Sequence, residues 1–243
     1  MTVKKHFSIM ALLGLVVAIV AVAMATIAVM GYRGGELHFV TAIKDFEWAT
    51  YTAGVAFGLS LIGLWFVRPD SAQRDMLPGL LGLLLSLPLV IFIVNFEYTA
   101  HAYPAINDIT TDTEDPPTFW DVPNPMTYPG EHVAELQKLG YPDLKHLEVD
   151  MDTTKAFKLA SDVAKDMGWE IVAENTSDMQ IEAIAKSVLF GFEDYVVVRL
   201  QYIEGKTRID VRSHSRLGRI DRGVNAKRIR TYLKALVKQV AKV

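Results

Sequence analysis

Phe7 to Met30 runs for 24 positions without a single charged residue, and two more apolar stretches follow, Trp48 to Val67 and the uncharged Leu77 to Val94. At about 1.5 Å of rise per residue, each is long enough as a helix to cross a hydrocarbon core of about 30 Å. Everything after them has a different character. The overall hydrophobic content of 51% is therefore concentrated in the first hundred residues, and the chain divides into a three-helix transmembrane anchor (1–96), a proline-rich leader (97–150) and a polar α+β domain (151–243).

Basic residues beside the spans set the expected orientation, because cytoplasmic loops carry an excess of Lys and Arg. Lys4 and Lys5 precede span one, and Arg68 and Arg74 lie between spans two and three. The loop from Gly31 to Glu47 holds Arg33 and Lys44, offset by Glu36, Asp45 and Glu47, and after span three no Lys or Arg occurs until Lys138. The expected location is the inner membrane, multi-pass, with a cytoplasmic amino terminus and a carboxy-terminal domain on the outer side, periplasmic in a Gram-negative cell. Span one also has parts of a signal peptide: a basic start and small residues at Ala21, Ala23 and Ala25. Its apolar run exceeds the usual length of such a segment. With no cysteine, disulfides and thiolate metal sites are excluded.

Small residues recur along span one at Ala11, Gly14, Ala18, Ala21, Ala25 and Ala28, a face suited to close helix approach, and Gly54 and Gly58 offer a similar pair in span two. Packing within the three-helix unit or assembly with a partner would both use such faces. Pro88 falls inside span three, where a kink is expected. No Asp, Glu, Lys, Arg or His occurs in the apolar core of any span, which argues against an ion or proton route and for an anchor.

Seven of the ten prolines lie between Tyr103 and Pro142, forbidding long helices and central strands there. Phe119, Trp120, Met126 and Tyr128 within this leader suggest docking rather than disorder. Beyond it, Ala156, Phe157, Ala160, Val163, Ala164 and Met167 mark an amphipathic helix, with a cap at Asp152 or Thr153 and a stop at Gly168. Strands are expected at Trp169–Glu174, Met179–Lys186, Tyr195–Tyr202 and Thr207–Ser213, and a closing helix from about Asn225 to Ala241 that buries Ile229, Tyr232, Leu233, Leu236, Val237 and Val240. These elements make a four-stranded antiparallel sheet with two helices on one face. A loop at Ile203 to Lys206 would set Arg199 opposite Asp210.

The densest polar segment, Val211 to Arg230, leaves a strand, passes Gly218 and Gly223, and enters a helix at Asn225. Backbone N–H groups and arginines converging there could hold an anion or a partner, which makes Arg212, Ser213, Arg216, Arg219, Arg222, Asn225 and Arg228 the candidate ligand-binding site. From Lys206 onward there are 12 Lys plus Arg against 2 acids, a net of +10, whereas Asn95 to Gly205 has 7 against 21, a net of −14. The expected internal partners are Asp108, Asp112, Glu114 and Asp115 of the leader; an external anion and a merely solvated surface are the alternatives. Lys227, Arg230, Lys234, Lys238 and Lys242 form a basic stripe on the last helix, a solvent face or a contact for anionic lipid.

Ser213, His214 and Ser215 place hydroxyls beside an imidazole, but neighbours on a strand point to opposite faces, so His214 reads as a surface or loop-ordering residue rather than a general base. His101, His132 and His146 have no partner at metal-ligand spacing. No catalytic residue, metal or cofactor is expected, and the acidic balance of the outer part speaks against nucleic acid.

Pro104-Ala-Ile-Asn-Asp-Ile-Thr-Thr-Asp112, Gly191-Phe-Glu-Asp-Tyr-Val-Val-Val-Arg199, Ile209-Asp-Val-Arg-Ser-His-Ser-Arg-Leu-Gly218 and Gly223-Val-Asn-Ala-Lys-Arg-Ile-Arg230 resemble the family of domains of unknown function numbered 1499. The likeness runs from about Tyr103 to the end and implies a bacterial envelope protein with plastid relatives. It transfers no activity. His214 stands where the resemblance leads one to expect a small residue, and Arg222 where a leucine is usual. The combined expectation is an interaction or scaffold module that binds an envelope protein, with binding of an anionic lipid or polymer by the arginine loop as the alternative and hydrolysis as a weaker one.

Overall fold

The computed structural model describes residues 6–67 and 73–242; Lys4, Lys5 and Arg68, on which the expected orientation rests, lie outside them. Backbone contacts divide the chain into two compact units, Met1–Tyr98 and Thr99–Val243. In the first, the short strands β1 (His6–Phe7) and β2 (Gln73–Asp75) pair in parallel beside three long helices, α1 (Ile9–Arg33), α2 (Phe39–Phe66) and α3 (Leu77–Ala102). All three are long and apolar enough to cross a membrane. Helix α2 begins at Phe39 rather than Trp48, because Lys44, Asp45 and Glu47 extend the helix beyond its apolar stretch.

The small face of span one is where the helices meet. Ala11, Gly14, Ala18, Ala21, Ala25 and Ala28 are all buried, against a complementary row on α2 that includes Ala49, Ala53, Ala56, Ser60 and Gly63. The backbones approach so closely that a Cβ on Gly63 would sit 2.3 Å from Ala11 N, and one on Gly14 would lie 2.7 Å from Ser60 N. Helix α3 joins at the same level through Gly82, whose added Cβ would meet Ser60 Oγ at 2.2 Å. Gly54 and Gly58 do not take part: nothing lies within 4 Å of a Cβ on either. Their spacing is right for close packing, but they lie off the face that the alanines of α2 define.

The second unit is built on an antiparallel sheet. The chain passes through β3 (Asp108–Thr110), α4 (Glu131–Gly140), β4 (Leu147–Val149), α5 (Thr153–Asp166), β5 (Glu170–Asn175), β6 (Gln180–Lys186), β7 (Glu193–Ile203), β8 (Lys206–Ser215) and α6 (Val224–Val240). The sheet has six strands rather than four, in the order β3-β8-β7-β6-β5, with β4 also on β8. The two extra strands are three residues long, too short to show alternation in sequence. They form because the outer edge of β8 would otherwise present unpaired backbone groups; β3 covers its last residues and β4 its first.

Local chemistry explains the other boundaries. Asp152 accepts from Thr154 N and Lys155 N to start α5, and Gly168, at φ +74°, follows its end. Glu204 and Gly205, both at positive φ, make the two-residue turn between β7 and β8, and the resulting register sets Arg199 opposite Asp210. Helix α4, ten residues long, fits the gap between Pro129 and Pro142, within a leader whose prolines forbid only longer helices.

The sheet has two covered faces. On one, Val196, Val198, Leu200, Ile209 and Val211 pack against Ala156, Phe157, Ala160 and Val163 of α5 and Ile229, Tyr232 and Leu236 of α6. Tyr232 stacks on Trp169 at 4.9 Å and donates to Ala160 O at 2.9 Å. Val237, expected in this core, is 48% exposed. The other face is polar in sequence yet covered by the leader, with Phe119 and Val122 buried against Ile184, Tyr195 and Val197.

Candidate functional site

Alternation along β8 turns Arg208, Asp210, Arg212 and His214 toward the leader and Ile209, Val211 and Ser213 toward the helices. Among the described residues, Arg212 is the largest fully buried side chain. Its guanidinium donates to both carboxylate oxygens of Asp108, at 2.9 and 2.8 Å, and to the carbonyls of Pro117 and Met126 at 3.0 and 2.9 Å. The Phe119 and Tyr128 rings lie 4.7 and 5.4 Å away, within cation–π range. Burial pushes the Asp108 carboxyl up, but hydrogen bonds from Arg212, with His214 alongside, outweigh it and hold the group below its ordinary value. Burial, with Asp108 adding to it, pushes the Tyr128 phenol up to about 12.

His214 is buried, not a surface or loop residue: it pairs across β3 with Asp108 and across β7 with Tyr195. Its Nδ1 lies 3.1 Å from Asp108 Oδ2 but has no hydrogen-bond partner. Ser213 and Ser215 face the other way. Ser213 donates to Asn225 Oδ1 at 2.7 Å, and Asn225 donates to Ser215 Oγ at 2.9 Å. Arg228 closes this second cluster by donating to Ser213 Oγ, Asn225 Oδ1 and the Asp194 carboxylate. The serine hydroxyls and the imidazole are thus separated by the sheet itself, and no nucleophile–base pair is assembled from them.

A third cluster lies farther along the leader face. Arg208 donates to Asp210 at 2.9 Å and to Asp112 at 2.6 Å, and Arg199 donates to the side chain and carbonyl of Asp115, both at 2.8 Å. Of the leader acids, Asp108, Asp112 and Asp115 therefore meet arginines of the strands, while Glu114 approaches Lys138 at 3.9 Å. The arginines of the β8–α6 connection stand apart: Arg216 pairs with Glu193, Arg219 is exposed and Arg222 half-buried.

Two carboxylates that sequence reasoning passed over do much of the organising. Glu182, only 1% exposed, accepts from three successive leader amides, Trp120 N, Asp121 N and Val122 N, at 2.7, 2.9 and 2.9 Å. Asp221 accepts from Gly223 N at 3.0 Å and Asn225 N at 2.8 Å. The start of α6 is therefore already capped by an internal anion. Burial raises the Asp221 carboxyl against the lowering effect of those two amides. The only signals for these roles were an acid in an otherwise apolar strand and an acid three residues before a helix.

An open cleft of about 540 Å³ lies between the Thr111–Asp115 turn and the residues following α4, with Asp112, Glu114, Lys138, Lys145, His146 and Arg208 among its walls. It carries both signs of charge and favours no single ligand class. Among the described residues, no group of three His, Cys, Asp or Glu side chains could hold a metal ion.

The family described as "Protein of unknown function (DUF1499)" matches residues 108–236, from the first residue of β3 into α6, so that it contains all three polar clusters. No curated protein matches the chain.

Proposed function

The chain belongs to the DUF1499 family, and we propose from its geometry that it is a membrane-anchored interaction module that presents a rigid crest to another envelope protein. The observation that carries this reading is the way the leader is held. Arg212 grips the carbonyls of Pro117 and Met126, and Glu182 grips the amides of residues 120 to 122 from below. Above those anchors Trp120 is 52% exposed and Met126 49% exposed. Aromatic residues and methionine are the side chains enriched in protein interfaces, and fixing them before binding lowers the ordering cost of association. The strand arginines serve this purpose from inside, each already bonded to acids or carbonyls.

Sidedness belongs to the same proposal. Pairing of β1 with β2 brings the start of the chain and the connection between α2 and α3 to one end of the helical unit, and the basic residues near both favour the cytoplasm. Three spans then carry the second unit to the opposite side, the periplasm in a Gram-negative cell. A photo-crosslinking amino acid at position 120 in living cells should give one discrete adduct with a protein exposed on that side. Met126→Asp should abolish the adduct without lowering the amount of protein. Labelling of abundant bystanders alone, or an adduct indifferent to Met126→Asp, would refute the proposal.

A further inference from the structure

One end of the sheet gathers exposed apolar and basic side chains that the crest does not use. Lys186 pairs with Glu193, and Asp194 with Ser215, so the β6–β7 loop and the β8–α6 connection emerge side by side. The loop carries Val188, 95% exposed, and Leu189; the connection and the first turn of α6 carry Ile220 and Val224, both close to half exposed. Arg216, Arg219 and Lys227 are exposed around them. Arg216 is shared with Glu193, whereas among the described residues Arg219 and Lys227 have no acidic partner.

This end is also fastened to the residues that follow the third long helix. Asn107 donates to Gly218 O at 2.7 Å, Asp221 N donates to Ile106 O at 3.0 Å, and the Tyr103 ring lies against Gly223. Helix α3 ends at Ala102, so the basic connection is held by the stretch of chain directly after the last apolar helix. Asp221 already fills the amide-lined start of α6, so an external anion would meet the outward cations and not the helix terminus.

We propose that this end of the carboxy-terminal unit docks on an anionic lipid surface. Val188, Leu189, Ile220 and Val224 enter the headgroup layer, and Arg219, Lys227 and Arg216 pair with lipid phosphates. Apolar tips flanked by cations that reach back to phosphates are the chemistry of a bilayer interface. The proposal rests on the reading that the three long helices cross a membrane, and it is independent of the partner proposed for the crest.

The chain has no cysteine, so a single Val188→Cys substitution carries a unique environment-sensitive fluorophore. The full-length protein is placed in nanodiscs of phosphatidylcholine alone or mixed with phosphatidylglycerol, each with a lipid-borne quencher. Quenching at position 188 should appear with phosphatidylglycerol and reverse in high salt. Each cation close to an anionic surface contributes about fivefold to the docked population, so Arg219→Ala with Lys227→Ala should lower the docked-to-undocked ratio roughly thirtyfold. Lys234→Ala with Lys238→Ala, farther along α6, should leave it unchanged. Quenching that is absent in both lipids, or that ignores the Arg219 and Lys227 substitutions, overturns the proposal, as does shielding of the label by a copurifying protein in lipid-free detergent. A label at Leu84→Cys on α3 separates the two readings: unquenched there, the membrane-spanning premise itself fails; quenched there but not at 188, only the docking fails.

Discussion

Arg212→Met tests the interior of the second unit at its most sensitive point. The substitution keeps an apolar stem in place of the side chain's aliphatic part but removes four donated hydrogen bonds, two to Asp108 and one each to Pro117 O and Met126 O. It strands the Asp108 carboxylate, itself fully buried, beside a histidine that is not hydrogen-bonded to it. Breaking a buried ion pair from one side typically costs about 3–5 kcal/mol. For a unit of this size that lowers the melting temperature by roughly 6–20 °C. Asp108→Asn with Arg212→Met removes the stranded charge, so a double-mutant cycle should recover about 1–3 kcal/mol relative to the sum of the single changes. The assay is thermal unfolding of the purified full-length protein, with hydrogen exchange at residues 117 to 126 as the local readout. A single mutant that melts with the wild type, or a cycle with no coupling, would show that the leader is held by something other than this pair.

The helical unit yields a sharper contrast. Gly63→Ala, whose Cβ would press on Ala11 N at 2.3 Å, should destabilise the packing of α1 on α2 by about 1–3 kcal/mol, whereas Gly54→Ala and Gly58→Ala should be neutral or slightly stabilising in a reversible detergent-unfolding assay. Acid should weaken the second unit in a way that depends on Asp108. Its carboxyl is held below the ordinary value of 3.8, so its contribution is complete above that pH and fades as pH falls through the lower folded value; urea titrations across this range should lose part of their pH slope in Asp108→Asn.

Where the sequence repeats a period over many residues, it was legible. The small-residue face of α1, the amphipathic pattern of α5 and the alternation of β7 and β8 all rest on long runs in which each residue repeats the same instruction. What it hid were contacts made once. Strands β3 and β4 are defined by the neighbour they cover and not by their own three residues. The candidate site shows the same division. Charge counting pointed to attraction between the leader and the basic tail, but it could not distinguish Arg199, Arg208 and Arg212, which point inward from strands, from Arg216 and Arg219, which sit in a connection. That distinction comes from β8 running on to Ser215 and from β3 pairing with its last residues, and His214 was misplaced for the same reason.

That division of the arginines alters what the basic segment can do. An arginine that commits four of its five donors inside the protein and is itself buried, as at position 212, is out of reach of a ligand, and freeing it would expose a buried carboxylate. Binding of an anion by the whole segment is therefore opposed by the energy that holds the leader in place. The cations outside that network carry no such penalty, since Arg219 and Lys227 exchange only water for a phosphate. The same sequence block thus contributes two separable things: an interior set of charges that holds the leader and an exterior set in the β8–α6 connection and the start of α6. Substitutions in the first should act through folding, substitutions in the second through association, and a variant such as Arg219→Ala that lowered the melting temperature as much as Arg212→Met would show that the two sets are one.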